Sequence, residues 1–377
     1  MGFRTDNLPD FPWDSLIPAR KLAAQYPGGA LDLTIGTPVD QVPAFVQSAL
    51  SEASDAHAYP ATIGRRELRE AIAQWLQRHR GVTGAPGILP TIGSKEMVAL
   101  LPSFLGLGKG DTVAFPKMAY PTYDVGARLA GATPLPIDTD ADPETWPDGI
   151  TLLWLNSPGN PDGHVLGIGQ LKRIVTWARA RGVIVASDEC YAELTWDVPE
   201  APSILDSRVC GTNYQGLFCL YSLSKQSNMA GYRAAFMAGD PARMAVLMQL
   251  RKHTGFMVPS PVQHAMAVVL GDDAHVAAQK EIYRRRREAL SGVLDAAGLR
   301  NDPLSVAGLY FWVEDVQGAA TGWDIVNACA RIGIVVAPGD FYGEAARGRV
   351  RISLTAADDT IAEAVKRLPR LPEQLAQ

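Results

Sequence analysis

The sequence predicts an α/β protein, with a mostly parallel central sheet covered by helices on both faces and a second, smaller α/β domain. Two observations carry that reading. From residue 88 onward, apolar runs of strand length at 88–92, 112–115, 151–155, 183–187, 217–221 and 232–238 alternate with helical patterns at 94–105, 122–130, 169–181 and 241–253. Such alternation marks βαβ units, whose crossover helices keep the strands parallel and bury both faces of the sheet. The polar clusters at 93–95, 156–160, 188–191 and 222–225 each directly follow a strand candidate. Open α/β sheets bind their ligands beyond the carboxyl ends of the strands.

The flanking segments differ in character. Residues 1–30 set Pro9, Pro12, Pro18 and Pro27 among Phe3, Phe11, Trp13 and Tyr26. Those aromatics need a surface to bury against, so the segment reads as an arm packing on its own subunit or on a partner's. Residues 31–36 alternate and then break at Gly36-Thr-Pro38, as a short strand entering a turn does. Helical periodicity occupies 42–53 and 65–79. After Pro261 a long helical stretch, 262–298 with a break near Gly271, leads to strand candidates at 309–313, 332–336 and 349–354 around a helix at 323–331. The expected division is 1–40 as arm and part of the small domain, 41–255 as the large ligand-binding domain, and 256–377 as linking helix and small C-terminal domain. Gly106-Leu-Gly-Lys-Gly110 imitates a nucleotide loop, but it follows a helix, precedes a strand and has no Ser or Thr after Lys109. It reads as a helix C-cap and turn.

Composition narrows the function classes. A chain of 377 residues with 47% hydrophobic and 20% charged residues is an ordinary globular protein with a large core. Its formal net charge of -5 and the absence of a basic tail argue against nucleic acid as a partner. The one basic run, Arg284 to Arg287, lies in a helical pattern and reads as a solvated face. Cys190, Cys210, Cys219 and Cys329 form no C-x-x-C pair and have no His at zinc spacing. They read as reduced thiols, with no metal site. With no signal segment and no apolar span near the roughly 20 residues a membrane helix needs, the expected location is the cytoplasm.

Chemistry concentrates in the stretch Cys219-Leu-Tyr-Ser-Leu-Ser-Lys-Gln-Ser-Asn-Met-Ala-Gly-Tyr-Arg233. A lysine at the end of a buried strand loses hydration, so its pKa falls and its amine becomes nucleophilic. Ser222, Ser224 and Arg233 around Lys225 supply the neutral donors and bidentate cation that a phosphate monoester needs. Lysine and phosphate donors at a strand end point to pyridoxal phosphate, held through a Schiff base. Gly93-Ser94-Lys95 ends a strand and opens a helix, whose free N–H groups favour an anion. Asp188 just after a strand could keep a pyridine nitrogen protonated, with Tyr191 donating to the ring oxygen; alone, Asp188 reads equally as a helix N-cap. Asn160 lies in a turn-rich loop, and Arg351 in an apolar strand, where its planar fork suits a carboxylate.

Over about Phe11 to Arg367 these motifs resemble the class I aminotransferases, the fold-type I enzymes that use pyridoxal phosphate. The resemblance implies Lys225 as Schiff-base lysine and general acid/base, with Ser222, Ser224, Arg233, Gly93, Ser94 and Lys95 around the phosphate. It makes Asp188 the partner of the pyridine nitrogen, Tyr191 that of the ring oxygen, and Asn160 in Asn-Pro-Asp-Gly163 a contact to ring and substrate. Arg351 becomes the α-carboxylate arginine, Tyr120 the aromatic on the ring, Gly36 a substrate-site glycine, and Tyr59 a tyrosine reaching the neighbouring subunit's phosphate. A homodimer with shared sites follows, with Tyr59 and the region of Ser260 at the interface. Tyr120 stands where many aspartate aminotransferases carry tryptophan. Phe11-Pro-Trp-Asp14, Gly36-Thr-Pro-Val-Asp40, the stretch Ala119 to Gly131 and Ala337-Pro-Gly-Asp-Phe-Tyr-Gly343 are more similar to actinobacterial N-succinyldiaminopimelate aminotransferases of lysine biosynthesis. The reaction so implied is ping-pong transfer between small amino-acid and 2-oxo-acid substrates. Its rivals are a β-elimination on the same fold and a cofactor-binding regulator without catalysis.

Overall fold

A computed structural model of the chain describes residues 8–376. Seven strands form the central sheet, in the order Gly87–Ile92, Ala234–Gly239, Leu217–Ser222, Ile184–Asp188, Ile150–Asn156, Thr112–Pro116 and Thr133–Ile137. Every residue of Leu217–Ser222 is buried, as an apolar run sandwiched between two helical layers must be. Ala234–Gly239 alone runs antiparallel to its neighbours. The reversal brings its amino end, beside Arg233, to the edge where the other strands finish. This strand starts two residues later than expected, because Arg233 adopts a left-handed conformation with φ of 55°. Thr133–Ile137 escaped the sequence pattern because it carries Pro134 and Pro136. It is an edge strand paired only with Thr112–Pro116, where missing N–H groups break no ladder.

A four-stranded antiparallel sheet follows, ordered Ala337–Pro338, Arg349–Ser353, Tyr310–Asp315 and Leu299–Asn301. Leu31–Asp32 pairs in parallel with Ile334–Val335, a two-residue strand within the expected 332–336, and the four-stranded sheet takes the separate Ala337–Pro338 just beyond it. The long helical stretch is two helices, Ser260–Val269 and Ala274–Leu294, and helix Asp358–Arg367 had not been anticipated. The arm packs on its own chain. Leu16, Ala19 and Ala23 sit in one apolar cluster with Trp312 and Ile325, and Trp13 lies 5.3 Å from Phe341 between ring centres. Phe3 falls outside the described residues. Among the described residues no helix is long and apolar enough to cross a membrane, and the four cysteines are free and buried.

The basic run is not a uniform solvated face. Arg284 pairs with Glu281 and Glu288 at the surface, but Arg286 is 4% exposed. Helical stagger turns Arg286 inward, where it grips Asp40 through both Nη atoms (2.8 and 2.6 Å) and Asp358 through Nε. That grip fixes the 36–40 turn.

A second charged knot joins the loop after Ile150–Asn156 to the smaller sheet. His164 Nδ1 faces Asp140 at 3.2 Å and Asp162 at 3.7 Å, while Nε2 faces Asp302 at 3.4 Å. Asp302 is bound on its other side by Arg349 at 2.8 Å. Burial opposes a charge on His164, but the three carboxylates outweigh it and push its pKa up from 6.5 to about 10. A raised folded-state value stabilises the fold fully below the unfolded value and loses that contribution as pH climbs through the folded one. Denaturation midpoints of the wild type should therefore fall between pH 6.5 and about 10 relative to His164→Gln. Parallel pH profiles for the two proteins would rule out a charged His164.

Candidate active site

The carboxyl edge of the large sheet opens into a cavity of about 440 Å³ that also borders the smaller sheet and the N-terminal segment. It gathers Gly36, Ser94, Lys95, Tyr120, Asn160, Asp188, Tyr191, Ser222, Ser224, Lys225, Arg233 and Arg351. Two expected residues do not line it. Gly93 lies just behind the wall, and Tyr59 is 95% exposed in a separate surface hollow shared with Ser260.

One end of the cavity is built for an anion. Gly93, at φ 74°, precedes helix Ser94–Phe104 and donates its N–H to the Arg233 carbonyl at 2.8 Å. A Cβ on Gly93 would stand 2.1 Å from Arg233 Nη2, so only glycine lets the guanidinium lie against the start of the helix. Ser222 ends its strand and donates to Ser224 Oγ at 2.8 Å, while the Ser224 N–H returns to Ser222 Oγ at 3.2 Å. Hydroxyls, helix N-terminus and guanidinium thus face the same space.

Lys225 rises from the short turn Leu223–Gln226 and donates from Nζ to the Gly36 carbonyl. Burial holds its pKa below the usual lysine value; Tyr310 and Cys190 pull the other way, while Arg351 and Arg233 reinforce the shift. The amine is therefore closer to neutral than a surface lysine's, as a nucleophile requires. Asp188 takes the Cys190 N–H and the Tyr123 hydroxyl, each at 3.2 Å. Burial raises its pKa beyond what those bonds offset. Among the described residues Asp188 has no ion-pair partner, so a cationic N–H is the ligand group it lacks.

Arg351, 2% exposed, occupies the opposite wall. Its Nη1 donates to Asn160 Oδ1 at 2.8 Å, its Nη2 to the Thr34 carbonyl, and its Cζ lies 3.9 Å from the centre of the Tyr310 ring. Among the described residues its buried Nε has no hydrogen-bond partner. A buried cation so held presents an incomplete shell to an incoming carboxylate. Tyr310 in turn touches Tyr191 hydroxyl to hydroxyl at 3.3 Å. Among the described residues, five basic side chains line the cavity (Arg20, Lys95, Lys225, Arg233 and Arg351) against one carboxylate, Asp188. Ligands with more than one negative charge satisfy that imbalance.

Sequence reasoning missed Tyr310, Tyr123, Asn156 and Arg20. Tyr310 lies in the strand candidate 309–313 and is buried, but its hydroxyl reaches the cavity. Only Gly36 announced it, since a Cβ there would come within 1.8 Å of Tyr310 Oη. Tyr123 had a visible signal, three positions after Tyr120 at the first turn of helix Thr122–Ala130. Asn156 braces the loop by donating to the carbonyls of Pro158 (3.1 Å) and Asp188 (3.0 Å).

Comparisons with known proteins agree over almost the whole chain. Residues 29–368 match the family model for aminotransferase class I and II. A 4-dedimethylamino-4-oxo-anhydrotetracycline transaminase from Streptomyces rimosus is 49% identical over 362 residues, 96% of this chain and 99% of that one. A probable aminotransferase of Mycobacterium tuberculosis is 49% identical over 96% of this chain and 85% of its own. Among solved structures, a probable N-succinyldiaminopimelate aminotransferase from Thermus thermophilus superimposes with a TM-score of 0.85 at 26% identity, covering 96% of this chain and all of that one.

The packing of Gly93 on Arg233 yields a direct test of the anion end. Gly93→Ala should displace the guanidinium and remove a charge-assisted bond of about 1.5–3 kcal/mol. Binding of inorganic phosphate, followed by calorimetry, should weaken about tenfold or more. Unchanged affinity would show that Arg233 does not contact the anion.

Proposed function

This chain belongs to the aminotransferase class I and II family, whose members use pyridoxal phosphate. From that premise we propose that it transfers the amino group of N-succinyl-LL-2,6-diaminopimelate to 2-oxoglutarate, giving glutamate. Its mixed seven-stranded central sheet, with helices in an α/β layout, is the fold-type I aminotransferase arrangement. The observation that carries the proposal is the buried guanidinium of Arg351, incompletely hydrogen-bonded and across one cavity from Lys225. It suits a substrate whose reacting carbon bears a carboxylate.

The cofactor fits the donor set. Ser94, Ser222, Ser224, Arg233 and Lys95 would hold its phosphate, with the glycine at 93 leaving room. Asp188 would keep its ring nitrogen protonated and so find the cation it lacks. Tyr191 and Asn160 would hydrogen-bond its ring oxygen, and Tyr120 would cover the ring. When bound, the cofactor supplies an electron sink for the charge left on the substrate's Cα. Lys225 would take up the substrate's Cα proton on Nζ and release it again within the same site, a task suited to an amine whose pKa is lowered by burial. Arg351 fixes the α-carboxylate, which orients the Cα–H bond toward Lys225.

A second reading has a specific observation behind it. Phe11, Trp13 and Tyr120 form an aromatic chain at the mouth, with ring centres 5.5 and 6.5 Å apart. Such a mouth would also admit a ring system, such as the 4-oxo-anhydrotetracycline in the Streptomyces rimosus relative's name, with Arg351 serving only the amino donor.

One set of measurements separates these readings. Glutamate should shift the bound cofactor's absorbance in the wild type and not in Lys225→Ala. The kcat/KM for the succinylated donor should exceed those for aspartate, phenylalanine and N-acetylornithine by about tenfold or more, the discrimination expected from one charge-assisted bond. Better use of aspartate or N-acetylornithine would overturn the substrate assignment. Pyruvate and ammonia released without an acceptor would replace transamination with β-elimination.

We also infer a two-fold dimer in which the exposed Tyr59, in a surface hollow it shares with Ser260, reaches the partner's phosphate. Closed two-fold pairs are the commonest soluble assembly. Light scattering should report twice the mass of 40.5 kDa; a fully active monomer would refute the shared site.

A further inference from the structure

One cation of the cavity has no part in the reaction so described. Lys225, Arg351, Arg233 and Lys95 are assigned to proton transfer, the α-carboxylate and the phosphate. Arg20 is not. It projects from helix Ile17–Ala23 and lines the same cavity with its side chain 37% exposed, which puts it at the mouth. Its Nη1 is ion-paired with Asp32, and its Nη2 donates to Thr34 Oγ1 at 3.1 Å. Asp32 is itself pinned, since Oδ1 accepts the Thr34 N–H at 2.9 Å and the Thr34 hydroxyl at 2.6 Å. The guanidinium is thus held in one orientation before any ligand arrives. Among the described residues its Nε–H makes no hydrogen bond.

Thr34 is what gives this arrangement its meaning. Its hydroxyl takes Arg20, while its carbonyl takes Nη2 of Arg351. One residue therefore separates two guanidinium groups, one buried and one at the rim of the same cavity. We propose that Arg20 receives the second carboxylate of glutamate and 2-oxoglutarate, making it a specificity-determining residue. The assignment rests on the reading that Arg351 takes the α-carboxylate. A short dicarboxylic acid is the substrate class that spans two cations set this close together, and the planar fork of Arg20 can bind both oxygens of its far end. A purely structural role explains Arg20 poorly. Exposed ion pairs add little to stability, and its helix is already anchored through Leu16, Ala19 and Ala23.

The test compares glutamate with norvaline, which has the same chain length and no second carboxylate, in wild-type, Arg20→Gln and Arg20→Lys holoenzymes. Single-turnover absorbance changes give kcat/KM for each donor. The preference for glutamate over norvaline should fall roughly ten- to a hundredfold in Arg20→Gln, the worth of a charge-assisted bond. Arg20→Lys, which keeps the charge and loses the fork, should recover part of it. A preference that stays constant, or both donors declining together as a structural defect would cause, overturns the proposal. If the wild type does not convert glutamate at all while accepting other amino donors, the acceptor assignment itself fails and takes this inference with it.

Discussion

The arrangement of this protein turns on a buried charge. Arg351 sits in strand Arg349–Ser353 of the smaller sheet, almost without solvent contact, and a guanidinium in that position must be solvated by the protein or not be there at all. Its partners come from three distant stretches: the Thr34 carbonyl, the Asn160 side chain and the face of Tyr310. No one of these suffices. The N-terminal segment, the loop after strand Ile150–Asn156 and the smaller sheet are therefore brought to one point by the same requirement, and the cavity is the space they enclose.

The supporting interactions share that logic. Arg286 clasps Asp40 and so sets the turn whose Gly36 carbonyl receives Lys225. Glu189, adjacent to Asp188, is fully buried and tied to Arg80 at 2.8 Å and to the Ile204 N–H at 2.8 Å. Gly36 and Asp188 thus each have a residue close in sequence that is locked by charge to an element behind it. Buried ion pairs contribute modestly to net stability, but breaking one leaves an uncompensated charge. They restrict where the chain can lie more than they deepen the fold.

Much of this was legible in the residues. Strands of the large sheet could be read from apolar runs because both faces are covered, leaving no polar alternation to confuse the pattern. The edge strand Thr133–Ile137 could not, since its prolines are tolerated only through a pairing that local sequence does not reveal. Lys225, Asp188 and Asn160 stand at strand ends or within distinctive turns, and Arg351 is a charge inside an apolar strand, so their neighbourhoods mark them as candidates, and the structure brings all four to one cavity. Tyr310 and Arg20 carried no such mark. Tyr310 looks like any aromatic of a buried strand, and Arg20 like any basic residue of a surface helix. Tyr310 meets Tyr191, 119 residues away, and Arg20 is placed by a helix that packs beside Trp312 and Ile325, contacts that periodicity does not encode. Arg286 shows the same limit: a run of four arginines conceals which one the helix turns inward.

The parallel pairing of Leu31–Asp32 with Ile334–Val335 has a consequence for how the chain is made. During synthesis the first strand emerges from the ribosome long before its partner exists, and the Thr34 carbonyl must wait still longer for Arg351. The large sheet, whose strands are closed by Gly239, can assemble while that amino-terminal stretch remains unpaired. Non-local contacts of this kind form late and slowly. The finished cavity therefore belongs to the last stage of folding, and a nascent chain halted before Arg351 would carry Lys225 on a completed sheet with no counter-wall to define a pocket.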